Sequence, residues 1–117
     1  TLGQFHRLSW QAQGEGLQVC RHTHGELGLM AAASHHVCLT LPNLVDGNQQ
    51  VAAMMEDDIL CELVPTSTGP RWGVPQGVGL CVEVNEEKVA HYHALYRQHG
   101  AFLPYHREMF TVPGASR

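Results

Sequence analysis

"VCRHTHGELGLMAAASHHVCLTLPN", residues Val19–Asn43, is the stretch on which the fold turns. Read for alternation, it is a series of short strands. "LQVCRH" leads into "ELGLMAA", and in "HHVCLTLP" at 35–42 the side chains of Val37, Leu39 and Leu41 share one face before Pro42 and Asn43 close the run. The first half also carries a histidine pair. Side chains at i and i+2 of a strand point the same way, so His22 and His24 would reach one ion together, with Glu26 adding an oxygen on that face. The same "HGEL" is turn-like, a place where solvated His and Glu are ordinary, and a single His-x-His specifies little.

Outward from this stretch the pattern continues as strands broken by turns. Residues 4–11, "QFHRLSWQ", alternate loosely, and "GEG" at 14–16 makes a turn. Two helices are expected. One lies near 47–57, where "NQQVAAMMEDD" puts Val51, Met54 and Met55 on one side with Asp46 as N-cap. The other lies at 86–99. Asn85 is its cap, Glu86 and Glu87 occupy its first turn, Val89, Tyr92 and Tyr96 mark an apolar side, and Arg97 and His99 precede Gly100. Strands are expected at 59–64 and 78–84, joined by the Pro/Gly-rich "PTSTGPRWGVPQG".

Composition bounds the function. The 117 residues, 44% hydrophobic and 15% charged, suit a single globular domain spanning 1–117. No apolar run approaches a membrane span and no signal-peptide pattern opens the chain; Thr1 in place of Met reads as a processed or trimmed start. The net charge is −4 and the seven Lys and Arg are scattered, which argues against nucleic acid as a partner. Nine histidines are unusual, and their protonation would reverse the sign of the net charge, so solubility should pass through a minimum in mild acid. The four cysteines at 20, 38, 61 and 81 lack CxxC pairing. Cys38, Cys61 and Cys81 lie in apolar runs, which predicts reduced core thiols and a cytoplasmic protein. No nucleophile elbow, P-loop or dinucleotide fingerprint occurs.

The run "CELVPTSTGPRWGVPQGVGLCVEVNEEKVAHYHALYRQHGAFLP" resembles the vicinal oxygen chelate superfamily of glyoxalases, extradiol dioxygenases and bleomycin-resistance proteins. In that likeness one module ends in a glutamate-bearing strand, a proline link follows, and the next opens with strand, acidic turn and helix. "HHVCLTLPNLVDGNQQVAAMM" is similar to a module opening. The resemblance implies an α+β fold, with paired βαβββ modules forming a curled, mostly antiparallel sheet around a cavity. The module-like segments are 35–64 and 78–117, with 1–34 as additional strands. It also implies a divalent metal site in catalytic members, for which His36 (or His35) matches the opening-strand histidine and Glu62 the closing-strand glutamate. Glu26 is the remaining carboxylate, and Gly79 stands where a further histidine would fall.

Three functions are compatible with these readings. The first is a small-molecule-binding protein of the bleomycin-resistance type, with Trp72, Trp10 and Glu62 lining an aromatic, acidic groove. The second is a metal-dependent lyase, isomerase or dioxygenase using His36, Glu62 and Glu26. The third is a non-catalytic interaction module. A homodimer is expected, because a chain short of the last strands of such a sheet would expose its edges.

Overall fold

The computed structural model of the chain describes residues 1–22, 26–45, 47–49, 55–62 and 73–100. Three α-helices carry the described part: α1 (Leu2–Gly14), α2 (Gly28–Cys38) and α3 (Glu86–His99). Among the described residues β-structure is confined to isolated bridges, a parallel one between Val19 and Leu44 and an antiparallel one between Leu60 and Val84.

Each helix has its own reason to form. In α1 the Thr1 side chain accepts from the Gln4 N–H at 3.3 Å, while Gln4 Oε1 accepts from the Thr1 nitrogen at 2.8 Å, a capping box closed in both directions. The chain leaves α1 through Gly16, whose φ of 70° favours a residue without Cβ. α2 has the alanine run 31–33 for propensity, and its buried positions Gly28, Ala31, Ala32 and Cys38 recur at helical spacing. Its N-cap residue, Leu27, offers no side-chain hydrogen bond. The acceptor arrives from far along the chain instead: Asp58, only 2% exposed, takes the Gly28 N–H at 2.6 Å and the Ile59 N–H at 2.7 Å. A carboxylate there satisfies an orphan donor and opposes the positive end of the helix dipole. α3 is capped by Asn85, whose Oδ1 accepts from the Lys88 N–H at 3.0 Å, and it ends at Gly100 with φ 76°.

α1 and α2 pack against each other, and the buried positions they contribute carry small side chains: Ser9 on α1 and Ala31, Ala32 and Ser34 on α2. Side chains of that size allow two helices to approach closely. Beneath them the segments around Val19 and Leu44 run parallel. Val19 N–H donates to the Asn43 carbonyl at 3.0 Å and the Val19 carbonyl accepts from Val45 N–H at 2.9 Å. Asn43, itself buried, donates from Nδ2 to the carbonyls of Ser9 and Leu17 at 2.9 Å each, tying α1 to this ladder. The order is therefore helix, extended segment, helix, extended segment, with α2 as the crossover that a parallel pair requires. Among the described residues the buried apolar side chains are Ala31, Ala32, Cys38, Leu41 and Leu60, and the polar Ser9, Arg21, Ser34, Asn43 and Asp58 are buried with them.

These observations overturn the α+β expectation of a curled, mostly antiparallel sheet. The segments read as strands at 4–11, 26–32 and 35–42 fall mainly in α1 and α2, because alternation of apolar residues over a few positions does not distinguish a strand from one side of a helix. The expected helix near 47–57 is not helical at 47–49 or 55–57, and 50–54 lie outside the described residues, as does its presumed cap Asp46. Among the described residues the strands expected at 59–64 and 78–84 reduce to the single bridge Leu60 to Val84, flanked by Cys61 N–H to the Glu83 carbonyl at 2.9 Å and Asn85 N–H to the Ile59 carbonyl at 2.8 Å, while 63–64 lie outside the described residues. The helix at 86–99, with its cap at Asn85 and its end at Gly100, agrees with the sequence reading. All four cysteines are free thiols, but Cys20 and Cys61 are exposed, and only Cys38 is a buried one. None of the helices among the described residues is long and apolar enough to cross a membrane.

Candidate active site

The site is built where the extended segment through Val19 ends. Two residues beyond the Val19 bridge is Arg21, held at its main-chain N–H and carbonyl by residues 48 and 49. The Arg21 N–H donates to Asn48 Oδ1 at 2.7 Å, and the Arg21 carbonyl accepts from Gln49 N–H at 3.0 Å. Asn48 is braced in turn, its Nδ2 donating to the Val45 carbonyl at 2.6 Å. His22 follows directly and is exposed.

A cavity of about 510 Å³ opens at this carboxyl end of the segment. Leu2 and Phe5 from the first turns of α1 and Met30 and Ser34 from α2 give it one flank, and Cys20, Arg21, His22 and Glu26 the other. In α/β arrangements ligands bind beyond the carboxyl ends of parallel strands, where the helices begin. Here the helix starts supply the apolar flank and the segment end supplies the polar one.

The guanidinium of Arg21 is buried and forms an ion pair with Glu26 through Nη2 and Oε1. The side chains are 4% and 10% exposed, so neither charge is screened by water and each is held by the other. Burial lowers the pKa of Arg21 from its ordinary 12.5, while Cys38 acts weakly in the opposite sense; the guanidinium remains charged near neutral pH. The same burial pushes the Cys38 thiol up, partly offset by Arg21, so Cys38 is a protonated packing residue and not a nucleophile.

Of the residues singled out in the sequence, Glu26 lies in this cavity and is committed to Arg21, and His22 lies beside it. His24 and Trp72 lie outside the described residues. His36 is on α2 and not on an opening strand, and its Nε2 is buried without a hydrogen-bond partner. His35, one position earlier, donates from Nε2 to the Gly73 carbonyl at 2.7 Å. Glu62 is exposed, just past the Leu60 bridge. Trp10 is exposed on α1, donating from its indole nitrogen to His6 Nε2 at 3.2 Å. Among the described residues no three His, Cys, Asp or Glu side chains come together as a metal site. Arg21 and Asn48 were not apparent from the sequence. The signal available was a helix–strand–helix–strand order, with a charged residue closing the apolar run "LQVC".

A parallel bridge joined through a helix, with a cavity where the extended segment ends, is a local arrangement also met in α/β folds. The chain is similar to the crystal structure of an enolase, a candidate sugar isomerase from Streptomyces coelicolor, determined without magnesium and with an ordered loop. The TM-score is 0.72 and the identity 30%, and the match covers 85% of this chain and 26% of that one. The chain thus spans about a quarter of the length of the solved enolase it matches. Neither a family model nor a curated protein matches it. The likeness to an enolase, together with the helical structure, overturns the vicinal oxygen chelate resemblance and the glyoxalase and bleomycin-resistance reading that followed from it.

Proposed function

We propose that the chain contributes the acid–base end of an enolase-type isomerase site, with His22 as the residue that takes and returns a proton. The carrying observation is that His22 stands beside a cavity at the carboxyl end of a parallel-paired segment, in a chain whose structure is similar to an enolase. Sites of the enolase superfamily use a Lys or His base at a carbon next to a carboxylate and form an ene-diolate. Imidazole suits that task near neutral pH because it exchanges its proton there.

In this reading the substrate is a hydroxylated carboxylic acid of the sugar class, an inference from the ene-diolate chemistry together with the naming of the Streptomyces protein as a candidate sugar isomerase. Its α-carbon faces His22 Nε2 or Nδ1; the imidazole accepts the α-proton and the electrons pass into the carboxylate as an ene-diolate, return of a proton from His22 gives exchange, and a proton delivered to the opposite face by an acid outside the described residues gives the isomer. Leu2, Phe5 and Met30 give that flank of the cavity an apolar surface, and Ser34 keeps its hydroxyl on the Met30 and Ala31 carbonyls at 2.8 and 3.1 Å. Enolase-type sites also use one or two magnesium ions. The described residues do not fit such an ion, because Glu26 is taken by Arg21 and no other acid lines the cavity. No step here is routed through a metal, and on this reading its ligands come from outside the described residues.

The test is proton exchange. Incubating the protein with sugar acids and magnesium in deuterated buffer, and following the α-proton by NMR, should show exchange that His22→Asn reduces by about 100-fold or more. Full exchange by the His22→Asn protein would end the proposal.

A further inference from the structure

We infer that Glu26 and Asn48 are positioning residues that set His22 for proton transfer, an inference that rests on the role proposed for His22. The chain on either side of His22 is pinned by different means. Before it, Arg21 is locked by Asn48 Oδ1 on its N–H at 2.7 Å and by Gln49 N–H on its carbonyl at 3.0 Å. After it, Glu26 closes the ion pair back onto the Arg21 side chain. Arg21 is therefore the common anchor, with its main chain held from 48–49 and its side chain from 26.

Stability alone does not account for the pair. Burying two charges costs desolvation that their attraction only partly offsets, and apolar residues of the same volume serve packing at least as well. A guanidinium and a carboxylate do fix direction and distance, which apolar contacts do not. The residue that gains from such fixing is His22, which directly follows the anchored Arg21 main chain and is exposed. Asn48 extends the same device to the neighbouring segment. Its amide spends one end on Val45, at 2.6 Å, and presents the other to Arg21. A displaced proton acceptor loses rate while substrate affinity is largely kept, because the binding contacts are elsewhere in the cavity.

The experiment compares the full chain with Glu26→Gln, Glu26→Asp, Asn48→Ala and His22→Asn. Two readouts are taken: the ring resonances of His22 by ¹H–¹⁵N NMR without substrate, and kcat and KM for α-proton exchange. Glu26→Gln and Asn48→Ala should shift and broaden the His22 ring signals while those of His91, on α3, stay in place. Exchange should fall about tenfold or more in kcat with KM changed less than about threefold, and Glu26→Asp should recover part of the loss. Should Glu26→Gln not fold, Asn48→Ala removes only the two neutral hydrogen bonds of Asn48 and carries the test by itself. Unchanged His22 signals and kcat in folded Asn48→Ala, with His22→Asn inactive, would overturn the positioning role and leave His22 its function. An active His22→Asn would remove both.

Discussion

α2 and α3 are built on opposite principles. α3 carries its instructions within itself: Asn85 caps it, Glu86 and Glu87 face the positive end of its dipole, Arg97 and His99 the negative end, and Gly100 stops it. Yet none of its residues is buried, and Tyr92, Leu95 and Tyr96 are exposed. α2 has no acid in its first turn and no side-chain cap from Leu27, yet Ala31 is 1% and Cys38 4% exposed. Its missing acid is supplied by Asp58, thirty residues downstream of Gly28. A helix rich in local signals is thus free to lie on the surface, and one poor in them depends on the fold around it.

The contrast can be broken most sharply at Asp58. Asp58→Ala leaves the Gly28 N–H buried without an acceptor and should cost about 2–3 kcal/mol, read as a lowered midpoint in urea. Asp58→Asn, which keeps one acceptor oxygen, should lose less. The matching change in α3, Asn85→Ala, should cost only about 1 kcal/mol, since water can reach the freed amide of Lys88. Equal losses at the two caps would mean that α2 does not depend on its distant acid.

The smallest effect concerns acid. Asp57 accepts from Lys88 Nζ and from Tyr92 OH, each at 2.7 Å, fastening α3 to the segment that caps α2. The Lys88 hydrogen bond first, and that of Tyr92 next, hold the Asp57 carboxyl well below its ordinary 3.8, and Tyr92 is raised in return by its bond to Asp57. A depressed acid contributes stability that is fully present above its unfolded pKa and is lost as pH falls from there toward the folded value. Stability should therefore be insensitive to Asp57 at pH 5–7 and decline below about pH 4. Lys88→Met should flatten that acid limb while shifting the neutral melting temperature little, because the pair is 35% and 40% exposed. An acid limb unchanged in Lys88→Met would remove Asp57 from the account.

What the sequence disclosed follows the same division. α3 was legible because each of its signals lies within its own fourteen residues or next to them. α1 is also written locally, as Thr1-x-x-Gln4, a signal that the loose alternation of Phe5, Leu8 and Trp10 obscures. α2 had no local start, and the alternation in "HHVCLTLP" favoured a strand that the alanine run and the parallel ladder beneath it override. For the site, His22 and Glu26 both line the cavity, and Glu26 is ion-paired with Arg21. Arg21 looked like one scattered cation among seven. Its burial depends on Asn48, Gln49 and Glu26 arriving together, and no periodicity in the chain reports that.

The long reach from Gly28 to Asp58 also sets a clock on the newborn chain. A helical turn forms in well under a millisecond, but thirty further residues take about 2 to 6 s to be synthesised. During those seconds the first turn of α2 lacks its acceptor, and the chain leaving the ribosome holds a frayed, alanine-rich segment open to chaperones until Asp58 emerges to close it.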